Sequence, residues 1–264
     1  MRDSRSAQKS NLRGSPLVPR ALSDALLLRL DGAADWLVRA GVSANAVTVA
    51  SLVLAVAAGS LLASGEFAFA APVVAVSCLG DALDGLVARR GKSSSVGGAL
   101  LDASVDRYGE FCFLGGLAVL FRASAPILVL ALLALAGSFM VSYASAKAEA
   151  LGVSPPPGLM RRPERAIVVC VGVTFAALLV AAANVWSFPW WTARAPLVGA
   201  LGILAFGANA SAISRLRVLA VTHSPSPAAE RTRSAVTPLP LDRVVLQDRR
   251  ESNAVAAPRA VRVR

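Results

Sequence analysis

Residues Asp81 to Asp106 read DALDGLVARRGKSSSVGGALLDASVD, and this stretch decides how the rest of the chain is understood. It sets Asp81, Asp84, Asp102 and Asp106 inside a run that is otherwise as apolar as a membrane span. Asp81 and Asp84 are three residues apart and Asp102 and Asp106 four apart, so on helices each pair shares one face. A carboxylate at bilayer depth costs about 3 kcal/mol or more, and such groups pair up, face a cavity or bind cations. Four of them converging from neighbouring helices repel one another unless a cation lies between them. Hard divalent ions such as Mg²⁺ take oxygen ligands of this kind. The stretch predicts a metal site built between two helices.

The composition supports a membrane setting. Of 264 residues, 55% are hydrophobic and 16% charged, with a mean hydropathy of +0.60. A soluble domain carries about 25% charged residues. The net charge of +11 raises the question of nucleic acid. However, the basic residues are spread over termini and short loops, with no aromatic stacking platform between them, and positive cytoplasmic flanks account for them. Cys78, Cys112 and Cys170 each lie in an apolar segment, which fits reduced thiols rather than a disulfide framework. The single histidine, His223, follows the last span and reads as a solvated residue.

In order, residues 1–20 are polar and basic, without an apolar leader, and are expected to be disordered. Over 21–42, Leu26, Leu30, Ala33 and Leu37 recur at helical spacing, with Asp24, Asp31, Asp35 and Arg39 on the other side. This pattern predicts an amphipathic helix lying in the membrane interface, with Trp36 on it. Gly41 ends that helix and Ser43 caps the next. Six spans are expected at about 44–63, 67–88, 97–120, 125–146, 166–185 and 195–213, giving an all-α membrane domain over 43–218. The third is the least apolar, because it holds Asp102, Asp106, Arg107 and Glu110. Lys147 to Arg165 reads as a loop broken by Pro155 to Pro157, and Trp186, Phe188, Trp190 and Trp191 as an interfacial belt. Residues 219–264 read as a disordered basic tail.

Charge selects the count of six. With the N-terminus inside, Arg89, Arg90, Lys92, Lys147, Arg161, Arg162 and Arg165 all fall on the inner side, whereas the outer loops hold Arg122 and Arg194. The four aspartates then lie at the cytoplasmic ends of spans two and three.

Read in full, the stretch is D-x2-D-G-x2-A-R-x8-G-x3-D-x3-D, carried by Asp81, Asp84, Gly85, Ala88, Arg89, Gly98, Asp102 and Asp106. It resembles the signature of the CDP-alcohol phosphotransferases at every position. Asp106-Arg107-Tyr108 and the segment Gly158 to Arg165, GLMRRPER, resemble the bacterial phosphatidylinositol-phosphate-synthase branch, over about residues 20 to 218. The resemblance implies transfer of a phosphatidyl group from CDP-diacylglycerol to a polar acceptor, with release of CMP. It also implies two divalent ions, Mg²⁺ or Mn²⁺, a homodimer, and a bacterial cytoplasmic membrane with the site facing the cytoplasm. By the same resemblance, Asp81, Asp84, Asp102 and Asp106 are metal ligands and Asp106 is the general base. Gly85, Ala88, Arg89 and Gly98, with Asn45 and Thr48, would receive the CDP part of the donor. Lys147, Arg162 and Arg165 would hold the acceptor's phosphate. The sequence departs from that branch at Ser145, where a lysine is typical, so one acceptor contact is missing. Inositol phosphate, glycerol phosphate and other alcohols stay open, as does a soluble CDP-alcohol donor with a lipid acceptor. The rival class is a cation-coupled transporter, since intramembrane carboxylates also mark ion pathways.

Overall fold

The computed structural model describes residues 20–92, 95–154, 156, 158–186, 189 and 191–222; side chains are described for these residues except 20–28 and 184–186. The described residues up to Leu219 belong to one compact unit, and residues 220–222 fall outside it. Every regular element among the described residues is helical. In chain order they are α1 (Arg20–Arg39), α2 (Ala44–Ser64), α3 (Phe67–Arg90), α4 (Val96–Leu120), α5 (Ala125–Ala150), α6 (Arg162–Trp186), a 3₁₀ turn (Thr192–Arg194) and α7 (Ala195–Thr222). Local sequence sets the boundaries. Ser43 and Ser95 accept from the backbone N–H groups of Ala46 and Gly98, capping α2 and α4. Gly41 and Gly65 take φ of 74° and 84°, where a side chain would be strained, and close α1 and α2.

Alanines share the interior with leucines such as Leu62, Leu114 and Leu201, and many large apolar residues lie outside. Ala55, Ala58, Ala70, Ala134, Ala144 and Ala176 are buried, while Val53, Phe69, Leu132, Phe175, Leu178 and Phe206 are exposed. Water would penalise that distribution, but lipid does not, and small interior residues let helix backbones approach closely. Among the described residues, five segments are long and apolar enough to cross a membrane: Ala44–Ser64, Phe67–Arg90, Ala125–Ala150, Arg162–Ala183 and Thr192–Thr222. Helix α4 is as long as these, but Asp102, Asp106, Arg107 and Glu110 set it apart.

Helices α2, α3 and α4 form the scaffold of the carboxylate stretch, with α6 against α3 and α5 against α4. The α2–α4 crossing is nearly backbone on backbone. A Cβ on Gly59 would strike the Cys112 carbonyl, and one on Gly116 the Gly59 carbonyl. Below the carboxylates, Ser77 Oγ donates to the Ser51 carbonyl at 2.9 Å, and a Cβ on Gly80 would collide with the Ser51 side chain.

Three expectations are revised. Lys147 to Arg165 is not all loop, because α5 runs on to Ala150 and α6 begins at Arg162. The early start follows from Glu164, whose Oε2 accepts from the Arg161 N–H at 3.1 Å, so that the third helical residue caps the first turn. Asp31 and Asp35 are not simply the wet side of α1. Arg90 contacts the Asp31 carboxylate at 2.9 Å and the Asp35 carboxylate, pinning α1 to the end of α3. Arg90 is therefore a strut rather than a topology charge alone. In α1 itself, Leu30 and Ala34 are buried and Trp36 is exposed. Cys78, Cys112 and Cys170 are half-buried free thiols, as expected. The expected disordered ends, His223, Pro155, Pro157 and the side chains of Trp186, Phe188 and Trp190 lie outside the described residues.

The α2–α4 crossing makes a direct prediction. Gly116→Leu should destabilise the purified protein by about 2–3 kcal/mol, because backbone opposes the new side chain. Gly199→Ala, with nothing within 4 Å of the added carbon, should be neutral or mildly stabilising. Thermal unfolding in detergent separates the two.

Candidate active site

The last turns of α3 carry Asp81 and Asp84, and the first half of α4 carries Asp102 and Asp106. Asp84 is 3% exposed, and its Oδ2 accepts from Thr48 Oγ1 at 2.7 Å. Thr48 is buried too, and its hydroxyl lies 3.1 Å from the Ala44 carbonyl, the helical alternative for its one proton. Thr48 therefore orients Asp84, a role the sequence reading did not give it. Asp81 and Asp106 converge on a single atom, Arg162 Nη2, which hydrogen-bonds Asp81 Oδ2 and lies 2.5 Å from Asp106 Oδ1. The second contact is an ion pair without hydrogen-bond alignment, so buried Asp106 Oδ1 has no hydrogen-bond donor among the described residues. Asp102 is half-buried and close enough for its charge to act on Asp81, Asp84 and Asp106. All four carboxylates thus share one electrostatic site.

A clamped turn delivers Arg162 to this place. Three successive carbonyls accept from helix side chains: Gly158 from Arg215 Nη2 at 3.3 Å, Leu159 from Ser211 Oγ, and Met160 from Arg165 Nη1 at 2.8 Å. Met160 holds a φ of 60°, uncommon for a side-chain-bearing residue. Arg165, 2% exposed, is gripped by Glu110 through Nε at 2.5 Å and Nη2 at 3.0 Å, with Ser142 Oγ at 3.3 Å. Its guanidinium is thus engaged inside the protein rather than offered to a ligand. Arg215, also buried, donates to Ser145 Oγ at 2.9 Å. Arg215 lies just past the end expected for the sixth span, at about residue 213. Its partners lie 57 and 70 residues away, so no local pattern announces them.

The predicted donor residues fall on two edges of the site. Arg89 is exposed and folds back over Gly85, where an added Cβ would lie 3.3 Å from Arg89 Nη1; Ala88 is half-buried beside it. At the start of α4, a Cβ on Gly98 would lie 3.3 Å from Asn45 Oδ1, so Gly98 and Asn45 face each other across α2 and α4. Lys147 is exposed near the end of α5 and makes no described contact with the carboxylates.

These residues fit a hard divalent cation by donor type, as four carboxylates with one buried oxygen that lacks a hydrogen-bond donor. They do not form a ready cage. Among the described residues, no group of three or more His, Cys, Asp or Glu side chains is disposed to hold an ion. The guanidinium of Arg162 bridges Asp81 and Asp106 instead.

Long apolar helices around an acidic cluster bridged by Arg162 mark an integral membrane protein. Residues 41–198 match the CDP-alcohol phosphatidyltransferase family, and the chain belongs to that family. Among its relatives, phosphatidylinositol phosphate synthase of Mycolicibacterium smegmatis is 38% identical over 144 residues, 53% of this chain and 65% of that protein. Archaetidylinositol phosphate synthase of Methanothermobacter thermautotrophicus is 33% identical over 165 residues, 62% of this chain and 79% of that protein. Phosphatidylinositol phosphate synthase of Mycobacterium tuberculosis with CDP-DAG bound superposes with a TM-score of 0.61 at 27% identity, covering 80% of this chain and 98% of that one. The same mycobacterial protein in complex with manganese and citrate also gives 0.61, at 28% identity.

The Glu110–Arg165 pair predicts a coupling measurable in a double-mutant cycle. Glu110→Gln and Arg165→Met should each destabilise the protein by about 3 kcal/mol, since each strands a buried charge or its donors. The double variant should lose clearly less than the sum when unfolding is followed by fluorescence.

Proposed function

We propose that this chain transfers the phosphatidyl group of CDP-diacylglycerol to a hydroxyl of a phosphorylated polyol and releases CMP. The bridging of Asp81 and Asp106 by Arg162, with Asp84 and Asp102 on the same two helices, carries the reading, and the relatives named above support it. The bilayer arrangement follows from the charges. Helices α2 to α7 form six spans with both tails inside, and α4 is tolerated as a span because its acids face a site rather than lipid. The site then opens to the cytoplasmic face of a bacterial inner membrane, with α1 lying in the interface. A homodimer is the assembly that family resemblance suggests.

The acids divide their tasks. Asp81, Asp84, Asp102 and Asp106 would hold the divalent ions, Mg²⁺ or Mn²⁺. When bound, such ions supply charge neutralisation at the diphosphate and acidify the attacking hydroxyl. Asp106 accepts the proton of the acceptor hydroxyl; its buried Oδ1 has no aligned hydrogen-bond donor and is held by the ion pair with Arg162 alone. The acceptor oxygen forms its bond to the phosphorus bearing diacylglycerol, and the bond from that phosphorus to the CMP oxygen breaks with its electron pair on CMP. Arg89 pairs with donor phosphate over Gly85, whose missing side chain lets phosphate approach the helix. Asn45 and Gly98 border the nucleotide, and Thr48 steadies Asp84. Arg162 and Lys147 meet the acceptor's phosphate, while Arg165 acts through the turn it anchors. Ser145 leaves this side one cation poorer than the branch pattern, although Arg215 reaches the same hydroxyl. The acceptor is therefore chosen between inositol phosphate and glycerol phosphate by assay rather than by analogy.

That assay is CMP release by detergent-purified protein with CDP-diacylglycerol, Mg²⁺ and a panel of phosphorylated and free polyols. Release should require a phosphorylated acceptor, stop with chelator and return with Mg²⁺ or Mn²⁺. Asp106→Asn should lower it by roughly 10²- to 10⁴-fold. Folded protein that binds Mn²⁺ yet releases no CMP with any acceptor would redirect the reading to a soluble CDP-alcohol donor.

A further inference from the structure

Two arginines of one turn are treated in opposite ways. Arg165 is 2% exposed, with both edges of its guanidinium hydrogen-bonded to Glu110, Met160 and Ser142. Arg162 leaves 35% of its side chain exposed, and its described partners are two carboxylates, reached through one nitrogen. That nitrogen lies between the carboxylates of α3 and α4 that would hold a divalent ion. On the Asp106 side the contact is Coulombic rather than an aligned hydrogen bond, so no directional bond there resists exchange.

We propose that Arg162 is a displaceable counter-ion. Its guanidinium bridges Asp81 and Asp106 while no metal is bound, and a divalent cation entering that pair expels it toward the acceptor's phosphate. The inference rests on the reading above for the cation and the acceptor, and adds an order of events to it. Charge supplies the reason. The four carboxylates carry up to four negative charges, which the single positive charge of Arg162 offsets only in part. A divalent ion offsets more, and once seated it repels a guanidinium at contact distance. The expelled side chain remains tethered at the first residue of α6 by the clamped turn, with its exposed flank toward solvent. A planar guanidinium released beside the carboxylates is suited to a phosphate. Metal loading thereby creates the cationic half of the acceptor site, and a phosphorylated acceptor is not captured by a protein unable to react it.

The test needs no turnover. Mn²⁺ binding to the purified full chain, without substrates, is measured from the EPR signal of free Mn²⁺ for the wild type, Arg162→Gln, Arg162→Lys and Asp102→Asn. With its competitor removed, Arg162→Gln should bind Mn²⁺ roughly fivefold tighter or more, and Arg162→Lys should fall between it and the wild type. Equal or weaker binding by Arg162→Gln would overturn the displacement. A second readout uses the wild type alone, through mass-spectrometric detection of phenylglyoxal modification at Arg162. Modification should be slow in metal-free protein and faster with Mn²⁺, and an unchanged or slower rate with Mn²⁺ bound would overturn the proposal even if Arg162→Gln failed to fold. Asp102→Asn keeps the two readings apart. Wild type that binds no Mn²⁺, like Asp102→Asn, would remove the metal site itself. Wild type that binds while Arg162→Gln shows no gain removes the displacement alone.

Discussion

The mutual repulsion of four carboxylates held between two helices is the constraint on which the rest of this structure depends. Asp81, Asp84, Asp102 and Asp106 lie close enough for each to act on the others, in a part of the chain otherwise fit for lipid. Such a cluster persists only where neighbouring elements supply donors and positive charge. Thr48 on α2 answers Asp84, and Arg162 at the head of α6 answers Asp81 and Asp106. Each response depends on a close approach that the helices must permit. Hence glycine stands at Gly59 and Gly116 where α2 meets α4, and at Gly80 where α3 meets Ser51.

A second tier of buried charge serves the first. Glu110 lies one helical turn past Asp106 and holds Arg165, which holds the Met160 carbonyl and so the turn that presents Arg162. Arg215 and Ser211 fasten the two preceding carbonyls from α7. Buried ion pairs contribute little net stability but fix geometry strongly. Here they fix the one turn in which an arginine must stay near the carboxylates and still be able to leave them.

Much of this was legible in the sequence because it is local. The spacing of the aspartates, the glycine and serine punctuation and the apolar runs gave the helices nearly to their ends, and the signature gave the family. What escaped were contacts between residues far apart in the chain. Asp31 and Asp35 read as a solvated face, yet they hold Arg90, which lies 59 residues beyond Asp31. Arg165 read as a ligand for phosphate, and only its distant partner Glu110 reveals that it is turned inward. The α6 start was recoverable, since Glu164 three residues after Arg161 is a capping spacing, but the proline-rich run before it drew the boundary too late. Charge alone does not separate an arginine that supports the framework from one that meets a ligand.

The central claim is that these four aspartates bind a divalent ion in place of Arg162. Anomalous diffraction from crystals grown with Mn²⁺ and CDP-diacylglycerol addresses it most directly. The account predicts manganese at about 2.0–2.4 Å from carboxylate oxygens of the cluster, with the Arg162 guanidinium moved off Asp81 and Asp106. Manganese bound elsewhere, or Arg162 still bridging those two carboxylates beside a bound donor, would contradict it.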